Sequence, residues 1–194
     1  MENSDIVAKS FKESISTKEK FLTQKNISLV AGAAEMIAES FKSGGKLLIV
    51  GNGGSAADAQ HLAAEFVNRF VIERPPLPAL ALTTDTSTIT SIGNDYDFDQ
   101  SFSKQVRALG RAGDVLLAIS TSGNSPNILK AVETAKALDI KVIGLTGKGG
   151  GALAEGSDIL LDVDAKATAR IQEVHITICH ILCELVDHTL FRKG

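Results

Sequence analysis

Five short apolar runs recur along the chain with helical stretches between them: Leu47-Leu48-Ile49-Val50, Ala79-Leu80-Ala81-Leu82, Val115-Leu116-Leu117-Ala118-Ile119, Val142-Ile143-Gly144-Leu145 and Ile159-Leu160-Leu161. None alternates apolar with polar residues, so each reads as a strand covered on both faces. Strands of that kind, separated by helices of about 10–20 residues, are joined by right-handed crossovers into a parallel sheet between two helical layers. The sequence therefore predicts an α/β fold, a three-layer αβα sandwich with a five-stranded parallel sheet, its core spanning about 46–165. Two helical stretches at about 4–23 and 27–43 precede it, and a last helix at about 168–191 follows. In the second stretch Leu29, Ala33, Ile37 and Phe41 recur every four residues and form one apolar stripe. No internal repeat, low-complexity tract or long linker divides the chain. Arg74-Pro75-Pro76-Leu77-Pro78 reads as a connector into the second strand, and residues 1–194 as one domain.

Composition narrows the function classes. With 194 residues the chain can bury a sizeable core without disulfides or metal staples. Twenty basic against 23 acidic residues leave a net charge of −3, which argues against a nucleic-acid partner. The absence of Trp, with one Tyr, argues against a base-stacking platform. No apolar run approaches the ~18 residues needed to cross a bilayer. The start Met1-Glu2-Asn3-Ser4-Asp5 lacks the basic and apolar segments of a secretory signal. A cytoplasmic protein without a membrane partner is expected. Cys179 and Cys183, four apart on an apolar helix, read as buried reduced thiols. Apolar helices at both ends exceed what one five-stranded sheet can cover, so a homo-oligomer is expected.

In a parallel sheet, ligands collect where strands end and helices begin. After the first strand comes Gly51-Asn52-Gly53-Gly54-Ser55-Ala56-Ala57-Asp58, leading into a helix expected to run to about Phe70. Its glycines permit positive φ and close ligand approach. Ser55 and Asp58 have the spacing of a capping box, which predicts a helix start at Ser55. A hydroxyl and free amides at a helix start make Asn52, Gly53, Gly54 and Ser55 a candidate phosphate seat. No lysine lies between Lys46 and Lys104, which excludes a P-loop. The pattern also fits GxGxxA, but the acidic residue that dinucleotide binding needs near the next strand's end is not at the required spacing.

The turn after the third strand is Ser120-Thr121-Ser122-Gly123-Asn124-Ser125-Pro126-Asn127. Pro126 suits a first helical position and Ser125 the cap before it. The hydroxyls of Ser120, Thr121, Ser122 and Ser125 exceed what capping needs and can solvate a phosphate dianion without a lysine. On the helix after the first turn, His61 and Glu65 share a face and could hold a divalent ion or simply pair on the surface. The last helix carries Gln172, His175 and His180 among apolar residues, and spacing does not choose between the two histidines.

The paired turns Gly-Asn-Gly-Gly-Ser and Ser-Thr-Ser-Gly-Asn-Ser resemble the flavodoxin-like sugar-isomerase (SIS) fold. With Ala56 to His61, Leu82-Thr83-Thr84-Asp85, Gly93-Asn94-Asp95-Tyr96 and Arg170-Ile171-Gln172-Glu173, they resemble its phosphoheptose isomerase family. That resemblance implies conversion of D-sedoheptulose 7-phosphate to D-glycero-D-manno-heptose 7-phosphate, the first step toward ADP-heptose and the lipopolysaccharide core, by a homotetramer. It implies one zinc ion per subunit on His61, Glu65, Gln172 and His180, with Glu65 and His180 doing the proton chemistry. It also implies sugar contacts from Asn94 and Asp95, read as lying in the loop after a short 86–92 helix, and from Glu65 and Gln172. Two nitrogen and two oxygen ligands suit zinc. Gln172 and His180 are eight residues apart, roughly 12 Å of helix rise, so a site at a subunit boundary is expected, with a neighbour supplying part of the last helix. Ala169 departs from relatives with an acidic residue there, so any assistance from that side chain does not carry over. The DnaA initiator-associating adaptor shares the scaffold but lacks the counterparts of Glu65 and His180, both present here. Another phosphosugar enzyme of the fold is the remaining alternative.

Overall fold

The structure, a computed structural model, describes residues 2–191. Five strands, β1 (Leu47–Gly51), β2 (Ala79–Ala81), β3 (Val115–Ser120), β4 (Lys141–Gly147) and β5 (Ile159–Val163), form one sheet in the order β2-β1-β3-β4-β5. All four pairings are parallel, registering Leu47 with Val115, Val115 with Lys141 and Ile143 with Ile159. The order reverses between β1 and β3, the switch point where ligands bind in doubly wound sheets. The two turns singled out by the sequence flank that point.

The helices are α1 (Asn3–Phe21), α2 (Gln24–Lys42), α3 (Gly54–Val67), α4 (Thr86–Asp95), α5 (Ser101–Leu109), α6 (Pro126–Ala137), α7 (Leu153–Gly156) and α8 (Thr168–Phe191). Alternate residues of the central strands feed two cores. Leu47, Ile49, Leu117 and Ile119 pack with Ala33 and Ile37 of α2, Leu62 and Phe66 of α3, and Ile171, Ile178 and Leu182 of α8. On the other face, Leu48, Val50, Leu116 and Ala118 pack with Phe102 and Val106 of α5 and Ile128, Ala131 and Ala135 of α6. Each fully buried Leu or Ile contributes about 1.5–3 kcal/mol, and a one-residue slip would exchange the two cores. The three-layer parallel architecture is the one expected.

Coverage on both faces holds for β1 and β3 but not for the edge strands. Leu80 of β2 is exposed, and β5 is only partly covered. Among the described residues, α8 is the one helix long and apolar enough to cross a membrane. One face of it packs inside the fold, against the sheet, α2 and α3, while Ile181 is exposed. Cys179 and Cys183 are free and buried there, and burial pushes the Cys183 thiol up to about 12.

Three boundaries differ from the sequence reading. Helix α3 begins at Gly54, with Gly53 as its N-cap and no side-chain cap, so Ser55 does not start it. It stops at Val67 rather than Phe70, and the chain leaves as an extended connector. Helix α4 continues through Asn94 and Asp95, capped at its start by the Asp85 carboxylate accepting from the Thr88 N–H at 3.0 Å. Those two residues occupy a helical turn and not a following loop.

Candidate active site

The turn after β1 depends on its glycines. A Cβ on Gly51 would strike the Ser55 backbone, and Gly53 sits at φ +54°. The Ser55 N–H donates to the Asn52 carbonyl at 3.0 Å, and the Ser55 side chain is buried in the first turn of α3. With glycine as the cap, no N-cap side chain bonds the amides at the positive end of this helix.

The turn after β3 has a different device. Pro126 is the first residue of α6 and Ser125 its N-cap, as read from the sequence, yet the Ser125 hydroxyl does not cap the helix. Its Oγ lies 3.1 Å from Ser120 Oγ, which lies 3.5 Å from Ser122 Oγ. The Ser122 hydroxyl accepts from the Asn124 N–H at 3.1 Å, and the Thr121 carbonyl accepts from the Gly147 N–H at 3.0 Å. A connected group of hydroxyls thus stands at a second uncapped helix start.

These two turns are fastened together. The Asn52 Nδ2 donates to Asn127 Oδ1 at 2.9 Å, and Asn127 Nδ2 donates back to Asn52 Oδ1 at 2.9 Å. Asn127 Oδ1 also accepts from the Ile128 N–H at 3.0 Å, and Asn127 is 2% exposed. Replacing Asn127 by Ala is expected to cost about 1–3 kcal/mol, since Asn52 loses both partners at once. A cycle of Asn52→Ala, Asn127→Ala and the double variant, read by chemical denaturation, should give a coupling of about 0.5–3 kcal/mol. Additive losses would mean that the bridge carries no energy.

Two helical turns beyond the first of these turns, His61 meets α8. Its Nε2 is 2.9 Å from His180 Nε2, and Glu65 Oε1 is 3.5 Å from the same His61 nitrogen. Phe70, in the connector after α3, stacks on the His180 ring with centroids 5.6 Å apart. Gly54 of α3 lies beside Gln172 of α8, and His61 beside His180, so the two helices run side by side in the same direction. Part of the distance expected to need a neighbouring subunit is thus spanned within one chain, for His180 and His61. Seven residues of α3 are matched by eight of α8, and His180 reaches His61 within one chain. Gln172 is placed differently, with its amide against Gly54 and no hydrogen bond to either histidine.

The remaining residues divide clearly. His175 is buried, with Nε2 3.0 Å from the Thr146 carbonyl, so that nitrogen carries the proton and donates. Burial lowers its pKa to about 4, which makes it a neutral structural histidine. Asn94 Nδ2 donates to Asp95 Oδ1 at 2.9 Å, and both are exposed at the end of α4. Asp58 sits one turn before His61 on α3. Burial pushes its carboxyl above the usual range, while His61 and His180 pull it partly back, and its Oδ2 has no hydrogen-bond partner.

The donor set suits a divalent ion of the zinc type. Bond lengths of 2.0–2.2 Å to tetrahedral zinc put ligand atoms about 3.3 Å apart. The His61–Glu65 spacing of 3.5 Å is already close to that, and the 2.9 Å His61–His180 contact would open by a few tenths of an ångström. As they stand, no three His, Cys, Asp or Glu side chains among the described residues converge on one point. His61 and His180 are instead in direct contact, with one Nε2 donating to the other. Holding a cation requires both nitrogens as acceptors and so displaces that proton.

Comparison with known proteins decides the family. The SIS-domain family profile matches residues 10–147. The phosphoheptose isomerase of Nitratidesulfovibrio vulgaris strain Hildenborough is 62% identical over 168 residues, 87% of this chain and 81% of that protein. The chain belongs to the phosphoheptose isomerase family of SIS-domain proteins. Solved phosphoheptose isomerase structures agree. The one from Neisseria gonorrhoeae has a TM-score of 0.90 at 50% identity, covering 95% of this chain and 98% of that one. The one from Francisella tularensis has a TM-score of 0.93 at 46% identity, covering 97% and 100%.

Four residues of this phosphoheptose isomerase-family chain were not read as site residues from sequence. Asn127 closes the bridge between the turns, Asp58 faces the histidines, Phe70 stacks on His180, and Arg74 ties α3 to α8. Asn127 offered a signal, as an amide directly after the proline of a helix start. For Phe70 and Arg74 the sequence offered only a proline-rich connector.

Proposed function

We propose that this chain is an aldose–ketose isomerase that converts D-sedoheptulose 7-phosphate to D-glycero-D-manno-heptose 7-phosphate. The observation that carries the reading is the meeting of Glu65, His61 and His180 two helical turns beyond a pair of uncapped, hydroxyl-rich turns at the switch point. The turns of Asn52 to Ser55 and Ser120 to Ser125 grip the phosphate through amides and hydroxyls, with no buried lysine to hold the product back. Isomerisation then requires a proton to leave the carbon beside the carbonyl and return to the neighbouring carbon. The Glu65 carboxylate takes that proton, leaving an enediolate, and gives it back. The His180 imidazole, which can give a proton from one nitrogen and accept one at the other, moves the hydroxyl proton between the two oxygens. The face of Phe70 keeps the His180 ring in plane for this transfer. Asn94, Asp95 and Gln172 supply hydroxyl contacts in this scheme.

His61, Glu65 and His180, joined by Gln172 once it leaves Gly54, would hold one zinc ion per subunit, which would polarise the carbonyl and carry developing negative charge. Purified protein should turn over sedoheptulose 7-phosphate, lose that activity in a chelator and regain it with added zinc. A zinc-supplemented protein inert toward the heptulose would overturn the reading.

The assembly belongs to the same proposal. Val7, Phe11, Ile15 and Leu22 of α1 and its exit are exposed, Phe11 by 69%, and together they are too apolar to face water unaided. A homotetramer covers this surface. Phe11→Ser with Ile15→Asp is expected to shift the protein to a smaller species in size-exclusion chromatography with light scattering, and an unchanged mass would refute that role. A cytoplasmic location and a place in lipopolysaccharide-core precursor synthesis complete the reading.

A further inference from the structure

The connector between α3 and β2 carries the most completely enclosed charged side chain in the fold. The Arg74 side chain is 0% exposed and that of Asp187 5%, with Arg74 Nε donating to Asp187 Oδ1 at 2.8 Å. Its Nη1 donates to the carbonyls of Phe66 at 2.6 Å, Pro75 at 3.2 Å and Asn68 at 3.3 Å. Its Nη2 donates to the Glu65 carbonyl at 3.0 Å. The Glu65 and Phe66 carbonyls belong to the last turn of α3, whose C=O groups have no partner within the helix. One guanidinium therefore caps the end of α3, grips the backbone of Glu65 and reaches across to α8.

Its partner on α8 is placed with equal consequence. Asp187 lies seven residues after His180, two turns along the same face. The connector held by the Asn68 and Pro75 bonds carries Phe70 onto the His180 ring. We propose that Arg74 is a positioning residue whose bond to Asp187 fixes the crossing of α3 and α8, and so the reach between Glu65 and His180. The proposal rests on Glu65 and His180 doing the proton chemistry assigned above.

Stability alone is a poor explanation of this arrangement. Buried ion pairs are often replaced by apolar residues of similar volume at no cost, and Asp187 Oδ2 is buried without a partner. What an apolar pair could not do is hold four loop and helix-end carbonyls and a second helix in one fixed fork. Lysine could not do it either, having a single compact head where arginine has a planar set of donors.

The test compares the parent with Arg74→Met/Asp187→Leu, with Arg74→Lys, and with Lys46→Met. The last removes the Lys46–Asp114 pair, Nζ to Oδ2 2.6 Å, which joins the residues just before β1 and β3 and touches neither α3 nor α8. Turnover of sedoheptulose 7-phosphate, thermal unfolding and titration of metal-free protein with Co²⁺, followed by its visible absorption, are measured on each. In Arg74→Met/Asp187→Leu and in Arg74→Lys, kcat and Co²⁺ affinity should each fall about 10–100-fold, with KM nearly unchanged. KM holds because the phosphate turns are fastened by Asn52 and Asn127 elsewhere. Lys46→Met should lose thermal stability and keep kcat. The proposal is overturned if Arg74→Lys, or the double variant where it folds, keeps the parent's kcat and Co²⁺ affinity. It is also overturned if kcat in all variants simply follows thermal stability. A parent chain inert toward the heptulose would remove the functional reading itself, whereas an active parent with indifferent variants removes only this role for Arg74.

Discussion

Glu65→Gln is expected to lower kcat for sedoheptulose 7-phosphate by about 10²–10⁴-fold, the range for removing one general base. The substitution keeps the shape of a side chain only partly exposed, 26%, and its spacing from His61. The Glu65 backbone stays gripped by Arg74, so α3 should not shift. What disappears is the capacity to accept a proton from carbon. KM should change far less than kcat, because in the proposed reading the phosphate is held at the two turns. Metal content measured on the same preparations separates loss of a ligand from loss of a base. A variant that retains zinc and loses kcat supports the proton role, and one that retains both places the base on another residue.

Acid should weaken the fold through His175. Its pKa falls from 6.5 to about 4 on folding because the buried ring is cut off from water. The unfolded chain therefore binds a proton more tightly than the folded one. The contribution is fully present above pH 6.5 and is lost as pH drops toward 4, by about 3 kcal/mol in total. Asp58, with its carboxyl pushed up by burial, works in the opposite direction, so the informative quantity is the difference between variants. His175→Gln keeps a donor for the Thr146 carbonyl and removes the titration. Denaturant unfolding between pH 7 and 4 should show a shallower loss of stability in that variant than in the parent. Equal slopes would mean that other groups govern acid unfolding.

The two central strands and both turns were legible because each depends on a local pattern. Leu47 to Val50 and Val115 to Ile119 are continuous apolar runs, and the glycines of 51–54 and the serines of 120–125 announce their own turns. Pro126 marked the start of α6 to the residue. Local pattern failed where tertiary partners decide. Ser55 and Asp58 have capping-box spacing, but Gly53 takes the cap, while Asp58 faces His61 and His180. His175 and His180 differ in depth: one ring is sealed beneath the sheet's end, the other meets α3. No residue count along α8 could reveal that α3 runs beside it in the same sense. That direction brings His180 to His61 without a second chain.

The reciprocal amide bridge between Asn52 and Asn127 has a consequence for remodelling the molecule. Loops at the mouth of such a sheet are the usual places to insert, shorten or shuffle residues when a new specificity is sought. Here the two rims are riveted to each other across the crevice, so neither can be lengthened alone without dragging its opposite number. Libraries that vary both rims together, or that spare the two asparagines, would keep the mouth in register.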